Sequence, residues 1–290
     1  SALGAKALLP LVECDVDYED AAAQWQDSVI EAAKPHIQTS GASVTAIGTT
    51  ATAGQSQYTK QNPYSAEVLV SQKITGRDSD RDVRHVEIDL GESGLTYQVG
   101  DALGVWFSNN EALVDEVISG LGLDADETVT VSKESYSLKA ALTDKKELTQ
   151  LYPGLVKSWA ELSGSAELAA ICEDKEQTRQ FILSNQLADL IAAYPANVSA
   201  TQLVEMLRPL TPRLYSIASS QAEVESEVHL TVALVEDERQ GHARFGGASH
   251  FLASAEEGQQ VNVYVEPNNH FRLPENPQTP VIMVGPGTVS

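Results

Sequence analysis

The sequence predicts a mixed α and β chain. An antiparallel, barrel-like β domain is split by a helical insert, with pieces of α/β units at either end. Three observations carry this. Residues from Pro63 to Phe107, and again after Pro209, alternate apolar and polar side chains between turn residues, the period of half-buried strands. Residues 109–208 carry apolar side chains at helical spacing. Residues 37–62 hold no period and are rich in Ser, Thr, Ala and Gly.

The elements follow in order. Leu8–Val12 reads as a strand, and the helix after it carries Ala22, Trp25, Val29 and Ala33 on one stripe until Pro35 stops it. One strand and one helix cannot bury a core, so residues 1–34 read as the tail of an α/β domain, and residues 35–62 as a flexible linker. AEVLVSQKITG then opens the strands. Val86, Ile88 and Leu90 alternate with polar residues before the turn Gly91–Gly94, and Gly100–Asp101 turns the chain into Leu103–Phe107. In the insert, Val114, Val117, Ile118 and Leu121 form one stripe, and Leu187, Leu190 and Ile191 part of another. Ser199 with Gln202 spells a capping box opening a helix over Gln202–Arg208. Strands return as RLYSIASS, EVHLTVALVED and QQVNVYVEP, with a short helix, His250–Ala255, between the last two. Pro280–Val284 is an apolar strand running into GPGT, the opening of a further unit.

Charge and composition narrow the function. The chain has 290 residues, 19 Lys+Arg against 41 Asp+Glu, and a formal net charge of -22. Phosphate backbones and anionic membranes call for clustered cations, so the balance points away from nucleic acid and membrane. An acidic surface suits solubility or a basic partner protein. Cys14 and Cys172 lie far apart without metal-ligand spacing, which fits a reducing, cytoplasmic setting. No apolar run reaches bilayer-spanning length. The start lacks both Met and the layout of a signal peptide, and reads as cut from a longer chain.

The candidate chemistry sits in TPRLYSIASS. Period two puts Arg213, Tyr215 and Ile217 on one side of a strand, Leu214 and Ser216 on the other. Arg offers a planar cationic fork for phosphate, Tyr a flat face, Ser a hydroxyl for a ring nitrogen. The combination suits a ligand with both a diphosphate and a flat heterocycle. It equally suits an edge strand with an arginine salt bridge and a core tyrosine. Gly246-Gly247-Ala248-Ser249 precedes a helix, where backbone N–H groups can meet an anion, with Ser249 at the cap position. Gly285, Gly287 and Thr288 form a glycine turn after an apolar strand, where open α/β sheets bind nucleotides. The six histidines show no metal-ligand spacing, and no metal site is expected. Ser216 lies in no G-x-S-x-G turn, which points away from hydrolysis.

RLYSIASS, TVALV, GGAS and VIMVGPGT, in that order, resemble the FAD/NADPH half of the diflavin reductases, within the ferredoxin–NADP reductase class. CDVDYEDAAAQW, QKITGRDSDRDVRHVEIDLGESGLTYQVGDALGVW and MLRPLTPRLYS are similar to the flavoprotein (alpha) subunits of NADPH–sulfite reductases. The resemblance implies a layout. Residues 1–34 would end a flavodoxin-like FMN domain. Residues 63–108 and 205–278 would form an antiparallel FAD-binding β-barrel, 109–204 the helical connecting insert, and 279–290 the start of an NADP-binding domain. It implies that Arg213, with Leu214 beside it, meets the FAD diphosphate, Tyr215 stacks on the isoalloxazine, and Ser216 tunes N5. Thr231, Val232 and Ala233 would line the flavin cleft through backbone groups, and Gly246, Gly247, Ala248 and Ser249 would hold the diphosphate from the other side. Thr149 and Leu183 match contacts from the insert, and Gly285, Gly287 and Thr288 would touch NADP. Asp237 stands where relatives tend to carry an aromatic. The function implied is electron transfer from NADPH through FAD and FMN to a sulfite-reducing haemoprotein (beta) subunit, in a hetero-oligomer serving cysteine biosynthesis. A diflavin reductase with another acceptor, or a fragment that binds no flavin, fits the same residues.

Overall fold

The computed structural model describes Leu9 and residues 19–34, 57–239, 241–269, 271–276 and 278–281. It divides into two units, residues 1–53 and 54–290. In the first unit the described element is helix α1 (Glu19–Ala33), on which Trp25 is exposed and Val29 half-buried. All of the preceding strand but Leu9, most of the linker, and the C-terminal strand past Val281 with its glycine turn lie outside the described residues.

The second unit carries the remaining strands. β1 (Tyr64–Lys73), β2 (Val83–Asp89), β3 (Ala102–Val105), β6 (Arg213–Ser216), β7 (Glu227–Ala233) and β10 (Gln260–Glu266) form one six-stranded sheet in the order β6-β3-β10-β1-β2-β7. Its pairings are antiparallel. The alternation expected from sequence is what builds it. Val86, Ile88, Val228, Leu230, Val232, Leu103, Val105, Val261 and Val263 are buried in one core, and on β2 and β7 the residues between them are half-buried on the other face. The two edge strands also meet. Ile217, just past β6, bridges Leu230 of β7, and the Ala218 N–H donates to the His229 carbonyl at 2.9 Å. Residues 57–62, at the end of the predicted linker, form a turn tied by Asn62 to Thr59 and Gln57. The Lys60 carbonyl accepts from the Trp106 indole N–H at 3.0 Å.

Between β3 and β6 lies a helical lobe with a core of its own. It comprises α2 (Glu111–Leu121), α3 (Leu138–Asp144), α4 (Pro153–Ser163), α5 (Ala166–Glu173), α6 (Lys175–Ser184), α7 (Leu187–Ala193) and α8 (Ala200–Met206). Val114, Val117, Ile118, Leu187, Leu190 and Ile191 are buried there with Trp159, whose indole N–H donates to the Tyr194 carbonyl at 2.8 Å. The Ser199–Gln202 capping box forms, and the helix begins at Ala200, two residues before the sequence reading. The lobe is not purely helical. β4 (Thr128–Val131) and β5 (Glu134–Ser137) make a hairpin whose turn holds Ser132 and Lys133 at φ 52° and 73°.

The stretch EVHLTVALVED is two strands rather than one. β7 ends at Ala233, and β8 (Glu236–Arg239) pairs back on β9 (His242–Phe245). A short helix, α9 (Gln221–Val224), precedes β7. Helix α10 runs Gly247–Ala253, so Gly246 is its N-cap and Ser249 sits in its first turn. Ser249 therefore does not cap it as expected. Its hydroxyl donates to the Gly246 carbonyl at 3.3 Å and accepts from the Val235 N–H at 3.1 Å, pinning the chain that leaves β7.

Candidate functional site

The site is assembled where the two cores meet. Three segments converge there: residues 145–149, which leave α3; β6; and the start of α10. Lys146 bridges Pro209, the Glu147 N–H donates to the Arg208 carbonyl at 3.0 Å, and the Leu210 N–H donates to the Lys145 carbonyl at 2.8 Å. This pairing runs straight into β6 and delivers Glu147 to Arg213. Arg213 Nη2 donates to Glu147 Oε2 at 2.8 Å, and its Nη1 donates to Thr211 Oγ1 at 3.0 Å and the Thr211 carbonyl at 3.3 Å. The other carboxylate oxygen, Oε1, accepts from both the Thr149 N–H (2.9 Å) and its hydroxyl (2.7 Å). Arg213 and Thr149, 64 residues apart by number (213 − 149), thus share one acid. The side chain of Glu147 is 7% exposed and that of Arg213 30%.

β6 alternates as the sequence requires. Arg213 and Tyr215 are half-buried on one face, while Leu214 and Ser216 are exposed on the other. Tyr215 packs against both the sheet core and a small cluster of Phe107, Leu210 and Ala248. Burial pushes its hydroxyl up to about 12, against the pull of the Arg213 charge. The Arg213 guanidinium lies 5.7 Å from the Phe107 ring centre. Phe107 also meets α10: a Cβ on Gly247 would sit 2.4 Å from its ring, so only glycine lets the helix start this close. Arg213, Tyr215, Gly247 and Ala248 therefore gather around one phenyl ring. Thr149 joins Gly246 and Gly247 in lining a small depression of about 80 Å³, with Asn110, Gln186 and His250.

The other expected residues sit elsewhere. Val232 points into the sheet core, and Thr231 stands opposite His85 on β2, facing outward. Ala233 lines a larger cavity of about 750 Å³ with Val235, Asp237, Gly241 and Asp80–Asp82. Val235 links that cavity to α10, because its carbonyl accepts from the Gly246 N–H at 2.8 Å. Leu183 is on α6, 58% exposed, beside Cys172, Ile182 and Arg179 in a depression of the helical lobe. It is not brought to Arg213. Gly285, Gly287 and Thr288 lie outside the described residues.

Two groupings escaped the sequence reading. Glu147 is one: an acid in KKELTQ has no local signal, and its role appears only when the 145–147 and 208–210 segments pair. The other is His85, Glu87 and His229, whose ligand-type atoms all lie within 4.8 Å of one another across the β2–β7 pair. Each imidazole there has a carboxylate neighbour, His85 with Glu87 at 3.0 Å and His229 with Glu227 at 2.9 Å. Register, not spacing, makes that contact.

Residues 56–251 match the family of FAD binding domains, and the chain belongs to that family. Over 99% of its length it is 75% identical to the sulfite reductase [NADPH] flavoprotein alpha-component of Shewanella sp. (strain ANA-3). It is 72% identical, over the same share, to the protein of that name in Shewanella oneidensis. The one in Vibrio parahaemolyticus is 51% identical, again over 99% of the chain. The chain spans about half the length of these relatives, 49%, 49% and 46% respectively. Among the described residues, no helix is long and apolar enough to cross a membrane.

Proposed function

We propose that this chain is the FAD-binding part of an NADPH-dependent diflavin reductase of the sulfite-reducing kind, and that Arg213 is its diphosphate anchor. The observation that carries the reading is the Arg213–Glu147–Thr149 arrangement, whose guanidinium lies 5.7 Å from the Phe107 ring centre. A cation still 30% exposed shares a strand face with a half-buried tyrosine, opposite a glycine helix start. The donor set fits FAD by its chemistry. The guanidinium suits phosphate oxygens and an aromatic face suits a flat ring, while both Thr149 donors are given to Glu147 behind it. Backbone of Gly246–Ser249 would complete the phosphate contacts, and Leu214, exposed on the other face of β6, would meet the ligand from there. Past Leu230, β7 has no strand partner on its second edge among the described residues, which leaves backbone of Thr231–Ala233 for the ligand. Tyr215 would stack on the flavin, and Ser216, on the exposed face of β6, would reach the flavin N5.

The wider layout belongs to the same reading. The six strands form a closed FAD-binding barrel over 63–108 and 205–278. Residues 109–204 are the connecting insert, 1–34 the end of an FMN domain, 35–62 a linker, and 279–290 the start of an NADP domain with Gly285, Gly287 and Thr288 in its turn. When bound, FAD supplies the redox chemistry, standing between NADPH and FMN in the complete protein. The acceptor is a sulfite reductase haemoprotein (beta) subunit in a cytoplasmic hetero-oligomer, and a surface of net charge -22 suits a basic patch on it.

A second reading has an observation of its own. Arg213 is salt-bridged and Tyr215 packed, as in an edge strand that binds nothing. Titration of the purified chain with FAD, and separately with FMN, followed by flavin fluorescence and the visible spectrum, separates the two. Saturable FAD binding with FMN clearly weaker is expected. A protein that quenches neither flavin would overturn the proposal.

A further inference from the structure

Glu147 has more to do than fill a place in the fold. A carboxylate this buried is costly unless each oxygen is met by donors. Here Oε1 takes two donors from Thr149 and Oε2 takes the Arg213 guanidinium. The acid cannot wander: its own N–H is held by Arg208, and the next residue, Leu148, is fully packed in the helical-lobe core. Thr211 fixes the other end of the guanidinium. The arginine is thus aimed before any ligand arrives, although it remains a long side chain with many rotamers of its own.

We propose that Glu147 is a positioning residue, itself fixed by the two Thr149 donors and holding Arg213 pre-ordered to receive the diphosphate of FAD. The inference rests on the FAD reading above. Ordering a flexible cation in advance removes that cost from the binding step. The opposing effect is electrostatic, since a carboxylate behind the arginine offsets part of its charge. The two effects predict opposite signs on neutralising the acid, and the packing around Glu147 favours ordering.

The test is Glu147→Gln in the 290-residue chain, read by FAD and riboflavin titration and by thermal melting. Riboflavin carries the ring without the diphosphate. FAD affinity is expected to fall about three- to tenfold, as for loss of one pre-ordered contact. Riboflavin affinity should stay unchanged, and in an Arg213→Ala background the substitution should have no further effect on FAD. A merely structural acid would weaken both ligands alike. FAD binding that is unchanged, tighter, or additively reduced in the Arg213→Ala background overturns the inference. Should the Gln variant fail to fold, Glu147→Asp keeps the charge but draws it back from Arg213. The same several-fold loss is expected, and parent-like affinity overturns the inference. A parent chain that binds no FAD overturns the FAD reading itself and this one with it, whereas a parent that binds FAD with an indifferent Glu147 overturns only this one.

Discussion

Arg244 and Arg213 each meet a buried acid, and they are held differently. Arg244, on β9, is 6% exposed and commits three nitrogens to carboxylates. Its Nε donates to Asp189 at 2.8 Å, and Nη1 and Nη2 to the two oxygens of Glu116 at 2.6 and 2.8 Å. Asp189 also closes the capping box of α7, and Gln186 of that box donates to the Phe245 carbonyl at 2.8 Å. The result is a staple between the β8–β9 hairpin and the helical lobe. Arg213 has one acid and one threonine, and a third of its side chain faces water. The sequence chemistry is the same. The number of donors already committed separates a guanidinium that fixes the fold from one that can still receive an anion.

The largest effect that could break this comparison is on stability. Arg244→Ala leaves Asp189, 2% exposed, without its cation, and should cost about 3–5 kcal/mol. Denaturant unfolding of the variant reads it directly, and a loss under about 1 kcal/mol would mean that the triad is ornamental. Arg213→Ala should cost less, about 1–3 kcal/mol, because Glu147 keeps its Thr149 donors and part of the site is wet. Its main effect should be on ligand: FAD weaker by about 10- to 100-fold, the scale of a charged hydrogen bond. If Arg213→Ala were the less stable variant and bound FAD normally, the two arginines would have exchanged roles.

How much of this was legible follows from the kind of signal each element carries. The sheet was readable because Val86, Ile88 and Leu90 alternate and are buried as alternation requires. The β4–β5 hairpin was not. Only Val129 of its strands is fully buried, and its turn is Ser-Lys rather than the Asn-Gly that advertises positive φ. β8 was read as the tail of β7 because EDER is polar throughout and earns its strand from pairing with β9 alone. In the site, Arg213 and Tyr215 were visible because they are neighbours on one strand. Glu147 was not, because nothing near it in sequence needs an acid. The GG of GGAS was legible as a close approach, but the approach the structure displays is to Phe107, and the Ser249 hydroxyl is spent on Val235. A short motif announces that backbone comes near something; it does not say what.

The staple should also be sensitive to acid. Hydrogen bonding to Arg244 holds the Glu116 carboxyl below its usual 4.5, with burial opposing and the Arg244 charge assisting. A depressed carboxyl adds stability that is complete above its unfolded value and is lost as pH falls through the lower, folded one. Glu116 is 37% exposed, so solvent screening limits the contribution to below about 1 kcal/mol. Melting temperatures of the parent and of Glu116→Gln should differ at pH 6 and draw together as pH falls from 4.5 through the lower, folded value. A gap that does not narrow at all over the acid range in which the variant and parent stay folded would assign the effect to packing rather than charge.

The smallest effect tests the edge of the comparison. The family resemblance implies a flavin contact for Leu183, yet it stands on α6 with Cys172 and Arg179 for neighbours, while Arg213 is gathered with Glu147 and Phe107. An exposed leucine on a helix surface contributes little, so Leu183→Ser should change stability by less than about 0.5 kcal/mol. FAD affinity should stay within about twofold of the parent, since no contact is lost that is worth even 0.5 kcal/mol. A tenfold loss of FAD affinity without a change in melting would instead require α6 to approach the ligand on binding. The helical lobe would then be a moving part, and the half-satisfied Arg213 only one side of a site that closes.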